Sequence, residues 1–354
     1  MTQHALLPRV DGPRILSLCT GYGGLDLAVR AGLPDATVVA HAETDQAAAR
    51  ILAHHHPDVP NLGDITRTDW TAVRAAFAPT VITAGFPCQD ISNAGTREGI
   101  RGERSGIWTS VAQAVRDVRP EYVFLENVAA LVRRGLDVVA ADLATLGYDL
   151  SWTCLRASDI GAPHRRDRWW GLAHRDDSDP DTLRRDWRPW QQSPASGRTQ
   201  PPHLGHHTPA PPAHPGVSRV RMLPTPKASD GPNGGPNQRD RAGNYYLPGL
   251  APRLDSRWVD HTGTDHAPAI HRWAQVLGHP APEPTEPAQR GPGRRLAPAF
   301  AEWLMGVPGR VTTVPDLTRS DRLRAIGNGA VPQQGHAGYT HLVLTLADGM
   351  EVAA

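Results

Sequence analysis

The stretch ILSLCTGYGGLDLAV, residues 15–29, places three glycines between an apolar run and a run typical of a helix. The apolar residues predict a buried β-strand, and the residues after the glycines predict a helix over Leu25–Ala31. Gly21, Gly23 and Gly24 form the turn between them, where glycine lets the backbone approach a ligand closely. The stretch therefore predicts the first strand and the first helix of a Rossmann-like α/β domain, joined by a turn that either binds a nucleotide-like ligand or is only a tight connection.

The same alternation of strand-like and helix-like runs continues to about Trp170 and predicts a parallel sheet with crossover helices. The predicted strands are Arg14–Leu18, Ala36–Ala42, Thr80–Ala84, Glu121–Leu125, about Ser151–Leu155, and Arg168–Leu172. The predicted helices are Leu25–Ala31, Asp45–His54, Asp69–Phe77, Ile107–Val118 and Leu136–Leu146. We assign this α/β domain to residues 1–175.

The composition changes after about His174, because prolines become frequent and long helical periodicity disappears. Aromatic residues such as Tyr245, Trp258 and Trp273 remain, and a pure linker would lack them. We therefore predict a second, smaller, loop-rich domain over residues 176–295. Residues 296–354 regain helical patterns and form a C-terminal segment. No internal repeat is evident in the sequence.

The bulk composition excludes several classes of protein. A chain of 354 residues with 39% hydrophobic residues can bury a substantial core. It has neither an apolar run long enough to span a membrane nor a signal-peptide pattern, so we expect a cytoplasmic protein. Its three cysteines lack CxxC spacing, which predicts neither a disulfide framework nor a zinc site. We expect His54–His56 to be exposed loop residues and no metal to be bound.

Two carboxylates after the glycine turn indicate which nucleotide-like ligand would bind there. Asp26 occupies the position of the third glycine in the GxGxxG fingerprint, which disfavours a dinucleotide. Glu43 ends the second predicted strand, where a carboxylate can accept hydrogen bonds from both ribose hydroxyls. Asp64, in GDIT, follows where the chain could reach an adenine edge. This combination fits S-adenosylmethionine better than a nicotinamide dinucleotide.

Residues capable of catalysis follow later predicted strands. Cys88, in GFPCQDIS at residues 85–92, lies at the carboxyl edge of the sheet, which favours a nucleophile over an inert buried thiol. Glu126, in FLENV, is a candidate general acid or a structural carboxylate that caps a helix. Arg166 and Arg168, in GAPHRRDRWW, could raise the thiolate fraction of the cysteine or form surface salt bridges.

These motifs, in this order, resemble those of the DNA cytosine-5 methyltransferases of bacterial or phage restriction-modification type. The matching segments are TGYGG, Glu43, GDI, GFPCQ, RSGIW, ENV, HRRDR and GNGAV. The resemblance implies a Rossmann-like S-adenosylmethionine-dependent methyltransferase domain followed by a target-recognition domain. It also implies that Cys88 attacks carbon 6 of a flipped cytosine while Glu126 binds ring nitrogen 3. Arg168 would contact the carbonyl oxygen of the base, and Arg166 would support the loop and a nearby phosphate.

The resemblance further implies a set of cofactor-binding residues, with no metal among the requirements. They are Leu18, Cys19, Gly21, Tyr22, Gly23, Gly24, Glu43, Asp64, Ile65, Pro87, Ile107, Asn328 and Val331. The family usually has an aromatic residue in place of Cys19, so we expect weaker packing on the cofactor and an oxidation-sensitive thiol. It usually has glutamine in place of His164, where we expect little loss.

The implied partner is double-stranded DNA, without a membrane, and a cognate restriction endonuclease is a candidate second partner. We expect a monomer. Three alternatives stay open. A tRNA cytosine-5 methyltransferase would share Cys88 and Glu126, and a catalytically silent DNA-binding relative would share the fold. A nicotinamide-dependent oxidoreductase is disfavoured by Asp26.

Overall fold

The computed structural model describes residues 12–87, 106–190, 220–288 and 292–346. The strands are β1 Arg14–Leu18, β2 Thr37–Ala42, β3 Val81–Gly85, β4 Tyr122–Val128, β5 Tyr148–Arg156, β6 Asp167–Arg175, β7 Thr285–Pro287 and β8 Arg294–Leu296. The first helices are α1 Gly24–Gly32, α2 Gln46–His55, α3 Trp70–Phe77, α4 Gly106–Val118, α5 Leu131–Arg134 and α6 Leu136–Thr145. The later helices are α7 Pro180–Asp186, α8 Leu247–Leu250, α9 Ala267–Leu277, α10 Pro298–Leu304, α11 Arg319–Asn328 and α12 Pro332–Thr345. None of these described helices is both long and apolar enough to cross a membrane.

Six strands form one mixed sheet in the order β2-β1-β3-β4-β6-β5. β1 to β4 run parallel, as predicted, but β6 is antiparallel to both of its neighbours. The prediction of an all-parallel sheet was therefore wrong for β6. Only residues 157–166 join β5 to β6, and their sole helical part is a single 3-10 turn, Ala157–Ile160. A parallel crossover needs a dozen or more residues, so this connection favours an antiparallel pair.

Alternate residues of the central strands supply the cores on the two faces of the sheet. Leu16 and Ile82 pack with the face covered by α3, α4 and α6, whereas Ile15 and Val81 pack with the face covered by α1 and α12. This alternation follows from the two-residue period of a strand. The sheet is thus covered on both sides, as a parallel sheet requires.

The α/β packing continues past residue 175, where we predicted a domain boundary. Trp187 is buried in the α1 and α12 layer, and its indole Nε1 donates to Thr340 Oγ1 at 2.9 Å. The backbone N–H of Arg188 donates to the carbonyl of Gly32 at 2.7 Å. The described residues 176–190 therefore pack with the sheet.

The described residues after 220 share one core with the C-terminal segment and with the glycine turn. Trp273 Nε1 donates to the carbonyl of Trp303 at 2.9 Å, and Trp258 stacks on Phe300 with ring centroids 5.7 Å apart. Tyr22 and Ile51, from the α/β half, belong to the same buried cluster. This continuity holds the loop-rich region against the side of the sheet that carries the glycine turn.

A short loop structure occurs three times among the described residues of the loop-rich region, although no repeat was evident in the sequence. The copies are residues 240–244, 255–259 and 260–264. In each, the Oδ1 atom of the leading aspartate accepts the backbone N–H groups two and four residues later, at 2.8–3.0 Å. The fourth residue has positive φ in all three copies: 83° at Gly243, 66° at Trp258 and 81° at Gly263. Only the aspartate is common to the three segments, which is why sequence comparison missed them.

Candidate active site

A cavity of about 680 Å³ opens at the carboxyl ends of β1 to β4. Open α/β sheets bind ligands at this edge. The predicted site residues that line it are Cys19, Gly21, Glu43, Asp64, Ile65, Pro87, Ile107, Glu126, Arg168 and Asn328. Cys88 lies outside the described residues. The structure therefore brings most of the predicted cofactor and catalytic residues into one space.

Glu43 connects the glycine turn to the second strand. Its Oε2 accepts the backbone N–H of Gly21 at 2.7 Å, and its Oε1 accepts that of Asp45 at 2.7 Å. These two bonds fix the carboxylate, and each oxygen keeps acceptor capacity for a ligand. Gly21 has φ 56°, and a methyl group added to its Cα would meet no atom within 4 Å. A ligand can therefore approach this backbone closely.

The other predicted residues of the turn lie behind the cavity. Tyr22 is fully buried, and its hydroxyl donates to the carbonyl of Ala330. A methyl group on Gly24 would lie 2.4 Å from the same carbonyl oxygen, so only glycine fits. The cavity lining also excludes Leu18, Gly23 and Val331. These residues shape the turn from behind.

Glu126 and Arg168 form an ion pair inside the cavity. Arg168 Nε lies 2.7 Å from Glu126 Oε1, and their side chains are only 18% and 14% exposed. Arg168 pairs with Val128 across the β4–β6 ladder, and Glu126 pairs with Gly85 across β3–β4. The strand register therefore sets the position of both groups. A charged hydrogen-bonded pair with limited access to water is suited to binding a polar heterocycle.

Arg166 has a different environment from the one we expected. It is 4% exposed, and its guanidinium donates to the carbonyls of Pro226, Gly327 and Gly329. Burial, followed by the charge of Arg168, lowers its pKa to about 9, which leaves it protonated at neutral pH. A guanidinium buried in this way cannot reach a phosphate on a bound nucleic acid. Instead it joins the loop-rich region to the turn that carries Asn328.

His164 is also buried, and its Nε2–H donates to the carbonyl of Leu304 at 2.9 Å. Burial lowers its pKa to about 3, so the ring is neutral. The glutamine usual in the family could make the same bond through its amide N–H. His164 therefore acts in packing.

Cys19 lines the cavity with an unreactive thiol. Burial, and then the charges of Glu43 and Asp64, raise its pKa to about 12. The thiol form reacts slowly with oxidants, since the thiolate is the nucleophile. This finding does not support the expected oxidation sensitivity of Cys19.

Two charged residues of the cavity lining were missed by sequence reasoning. Arg324 stands one helical turn before Asn328 on α11, and Asp45 stands two residues after Glu43; both line the cavity. The spacing of four residues from Asn328 could have indicated Arg324, because residues i and i+4 share a helix face. Asp45 was assigned only to the start of a helix.

His55, the last residue of α2, and His56 after it are half-buried, contrary to expectation, whereas His54 lies in α2 and is exposed. His55 Nε2 donates to the carbonyl of Arg310 at 2.7 Å, and Arg310 Nη2 lies 3.0 Å from His56 Nε2. Arg310 Nε donates to the carbonyl of Tyr22 at 2.9 Å. The histidines thus pack against an arginine that supports the glycine turn. No group of potential metal ligands occurs within the part of the chain that the structure describes.

Two of the curated relatives each match about half of the chain. The type II methyltransferase M.CviJI of Paramecium bursaria Chlorella virus IL3A is 35% identical over 173 residues, which are 48% of this chain and 45% of the relative. The type II methyltransferase M.HhaI of Haemophilus parahaemolyticus is 30% identical over 173 residues, 48% of this chain and 51% of the relative. The matched part thus spans about half the length of each relative.

A solved structure resembles the whole chain. The Dnmt2 methyltransferase of S. pombe aligns with a TM-score of 0.54 and 17% identity, covering 96% of this chain and 99% of that one. At this identity the likeness shows the fold alone, and it confirms the predicted Rossmann-like α/β fold. The family model described as C-5 cytosine-specific DNA methylase matches residues 13–205, more than half of the chain. The chain therefore belongs to the C-5 cytosine-specific DNA methylase family.

Proposed function

We propose that this protein transfers a methyl group from S-adenosylmethionine to carbon 5 of a flipped cytosine in duplex DNA. The Glu126–Arg168 ion pair carries the proposal, because it lies in the same cavity as the Gly21–Glu43 pair. A base-binding pair and a nucleoside-binding pair in one space fit a reaction between a cytosine and a nucleoside cofactor.

The residues of the cavity fit S-adenosylmethionine. Glu43 would accept the ribose hydroxyls, since its carboxylate is fixed by two backbone N–H groups. Gly21 leaves room for the ligand, Asp64 and Ile65 lie where the adenine could rest, and Asn328 would bind from α11. Asp64 stays ionised, because the backbone N–H and hydroxyl of Thr66 lower its pKa. The bound cofactor supplies the methyl group as an electrophile.

Cys88 and Glu126 activate the cytosine in this proposal. Carbon 5 is a weak nucleophile, so the Cys88 thiolate first adds to carbon 6. As the ring accepts the electron pair, nitrogen 3 takes a proton from the carboxyl group of Glu126, which has first taken that proton from solvent. After methylation, water takes the carbon 5 proton, and the carbon 5–carbon 6 double bond re-forms as the sulfur–carbon 6 bond breaks and the Cys88 thiolate leaves. Nitrogen 3 then returns its proton to Glu126, and 5-methylcytosine leaves.

Arg168 positions Glu126 and binds the base. Its Nε holds Glu126, and its Nη1 donates to the carbonyl of Asp167 at 3.0 Å. The remaining guanidinium N–H groups can donate to the cytosine carbonyl oxygen. A stacked base cannot enter the cavity, so the cytosine has to leave the duplex, at a cost of a few kcal/mol.

The three aspartate-led loops are candidates for contact with DNA. Their tips carry Arg241, Arg257 and His261, all exposed. Tyr245, which follows the first loop, contacts His261 of the third loop, with ring centroids 5.4 Å apart. The guanidinium groups of Arg239 and Arg253 lie over the Tyr245 ring. Rigid loops with exposed cations suit reading of base edges and phosphates. A monomer and a cognate restriction endonuclease are further expectations of the proposal.

The test is transfer of labelled methyl from S-adenosylmethionine to unmethylated genomic DNA and, separately, to unmodified tRNA. We expect label on DNA with the wild-type protein and loss of at least about a hundredfold with Cys88→Ala or Glu126→Gln. Cys154→Ala is the matched control, because Cys154 lies on β5, outside the cavity. Label on tRNA alone would replace the proposal with an RNA methyltransferase. Label on neither, with cofactor bound, would indicate a silent relative.

A further inference from the structure

We infer that Arg324 and Asp45 form an ion-pair clasp that closes the cofactor cavity and slows release of the bound nucleoside. The inference rests on the proposed function only for the identity of that ligand. Arg324 Nη2 lies 3.2 Å from Asp45 Oδ2, and both residues line the cavity. Both side chains are about two-fifths exposed, at 40% and 38%, so the pair lies where the cavity meets solvent.

Asp45 is held rigidly on the wall that carries Glu43. Its backbone N–H donates to Glu43 Oε1, and its Oδ1 caps α2 by accepting the N–H groups of Ala47 and Ala48 at 2.9 and 3.0 Å. Oδ2 is the oxygen directed to Arg324. One aspartate therefore links the residue proposed to bind ribose with a cation from the opposite end of the sequence.

Arg324 belongs to a wall that is supported from behind. The turn Ala228–Asp230 packs so closely on α11 that a methyl group on Gly327 would lie 2.1 Å from the backbone of Lys227. Asp321, one turn earlier on α11, contacts the same Nη2 atom at 3.1 Å, so Arg324 also has a carboxylate partner on its own helix. On the cavity side, the ion pair between Arg324 and Asp45 thus joins α11 to the wall that carries Glu43.

The exposure of the pair sets the size and the salt dependence of its effect. Half-exposed ion pairs contribute weakly and are screened by salt, so the clasp opens readily and changes a rate by a small factor. In this inference, a ligand that enters or leaves the cavity passes the pair. We therefore expect the ion pair to change the dissociation rate of the ligand more than its association rate.

The test uses S-adenosylhomocysteine as the probe, with dissociation measured by stopped flow and affinity by calorimetry. Arg324→Gln and Asp45→Asn remove the attraction, and asparagine preserves the cap on α2. We expect each variant to speed dissociation about three- to tenfold, with the double variant no faster than the faster single one. Added salt should speed dissociation from the wild type and have little effect on either variant.

Asp321→Asn is the matched control, because it removes a charge from Arg324 without crossing the cavity, and it should not speed dissociation. An unchanged melting temperature of the unliganded variants separates the clasp from a general loss of stability. Additive effects, or an effect of Arg324→Gln without one of Asp45→Asn, would overturn the inference in favour of direct contact between Arg324 and ligand. A wild-type protein that binds no S-adenosylhomocysteine would instead refute the proposed function.

Discussion

Two arginines only two positions apart have opposite environments, which assigns them different roles. Arg166 is buried among backbone carbonyls, whereas Arg168 reaches into the cavity and pairs with Glu126. The sequence indicated that alternate residues would share a face. It could not indicate the depth of Arg166, because the carbonyls that bind it come from residues 60 to 163 positions later.

Methionine at the two positions should separate folding from catalysis. Arg166→Met leaves three buried carbonyls without their donor, so we expect a loss of about 3 kcal/mol or more in the free energy of unfolding. Arg168→Met should change that energy by less than about 1 kcal/mol and should lower methyl transfer by about a hundredfold. Urea unfolding and methyl-transfer assays measure the two effects. Equal destabilisation by both variants would contradict the assignment.

Cys19 should resist alkylation in the folded protein. Burial and two nearby carboxylates raise its pKa to about 12, so almost none of it is thiolate at pH 7.5. We expect iodoacetamide to label Cys19 only after denaturation, as read by mass spectrometry of its peptide. Rapid labelling in the native state would show that the thiol is ionised and accessible.

At the scale of elements, the three aspartate-led loops depend on one side-chain oxygen each. In the 255–259 copy, Asp255 Oδ1 accepts two backbone N–H groups at 2.8 Å. Asp255→Ala removes both bonds and should lower the free energy of unfolding, whereas Asp255→Asn keeps the acceptor and should lower it less. Chemical denaturation checks the difference. Equal costs would mean that the charge, and not the acceptor geometry, holds the loop.

Most strands and helices of the α/β half could be predicted, because each has a local signal in its apolar pattern and in the glycines or carboxylates at its ends. The direction of β6 could not be read from the same pattern. A buried strand has the same apolar composition whichever way it runs, and only the short β5–β6 connection determines its direction. The loops were missed for a related reason, since their geometry needs one aspartate and one residue that tolerates positive φ.

At the scale of the whole molecule, buried neutral histidines should make stability depend on pH. Burial lowers the pKa of His164 to about 3 and that of His41 to about 4. Below about pH 6.5 these two histidines bind protons in the unfolded chain but stay neutral in the folded chain. The free energy of unfolding therefore falls as the pH drops from 6.5 towards 4. Above pH 6.5 both states hold these rings neutral, and this contribution does not change.

His164→Gln isolates that effect. Glutamine can donate to the Leu304 carbonyl without titrating. Between pH 6.5 and pH 4.5 we therefore expect the free energy of unfolding to fall by about 2 kcal/mol less in the variant than in the wild type. The comparison also cancels the opposite trend of Asp26, whose pKa is raised by burial. Urea midpoints at the two pH values provide the measurement. Parallel losses in both proteins would show that His164 is not the responsible group.

The cofactor cavity also has a consequence for the order in which the protein is made. One wall contains Gly21 and Glu43, and the other contains Arg324 and Asn328. Domains begin to fold from the N-terminus during synthesis. The residues of the first wall are therefore synthesised long before those of the second. A chain that ends before α11 lacks the second wall, so the pocket is complete only once Asn328 has been added.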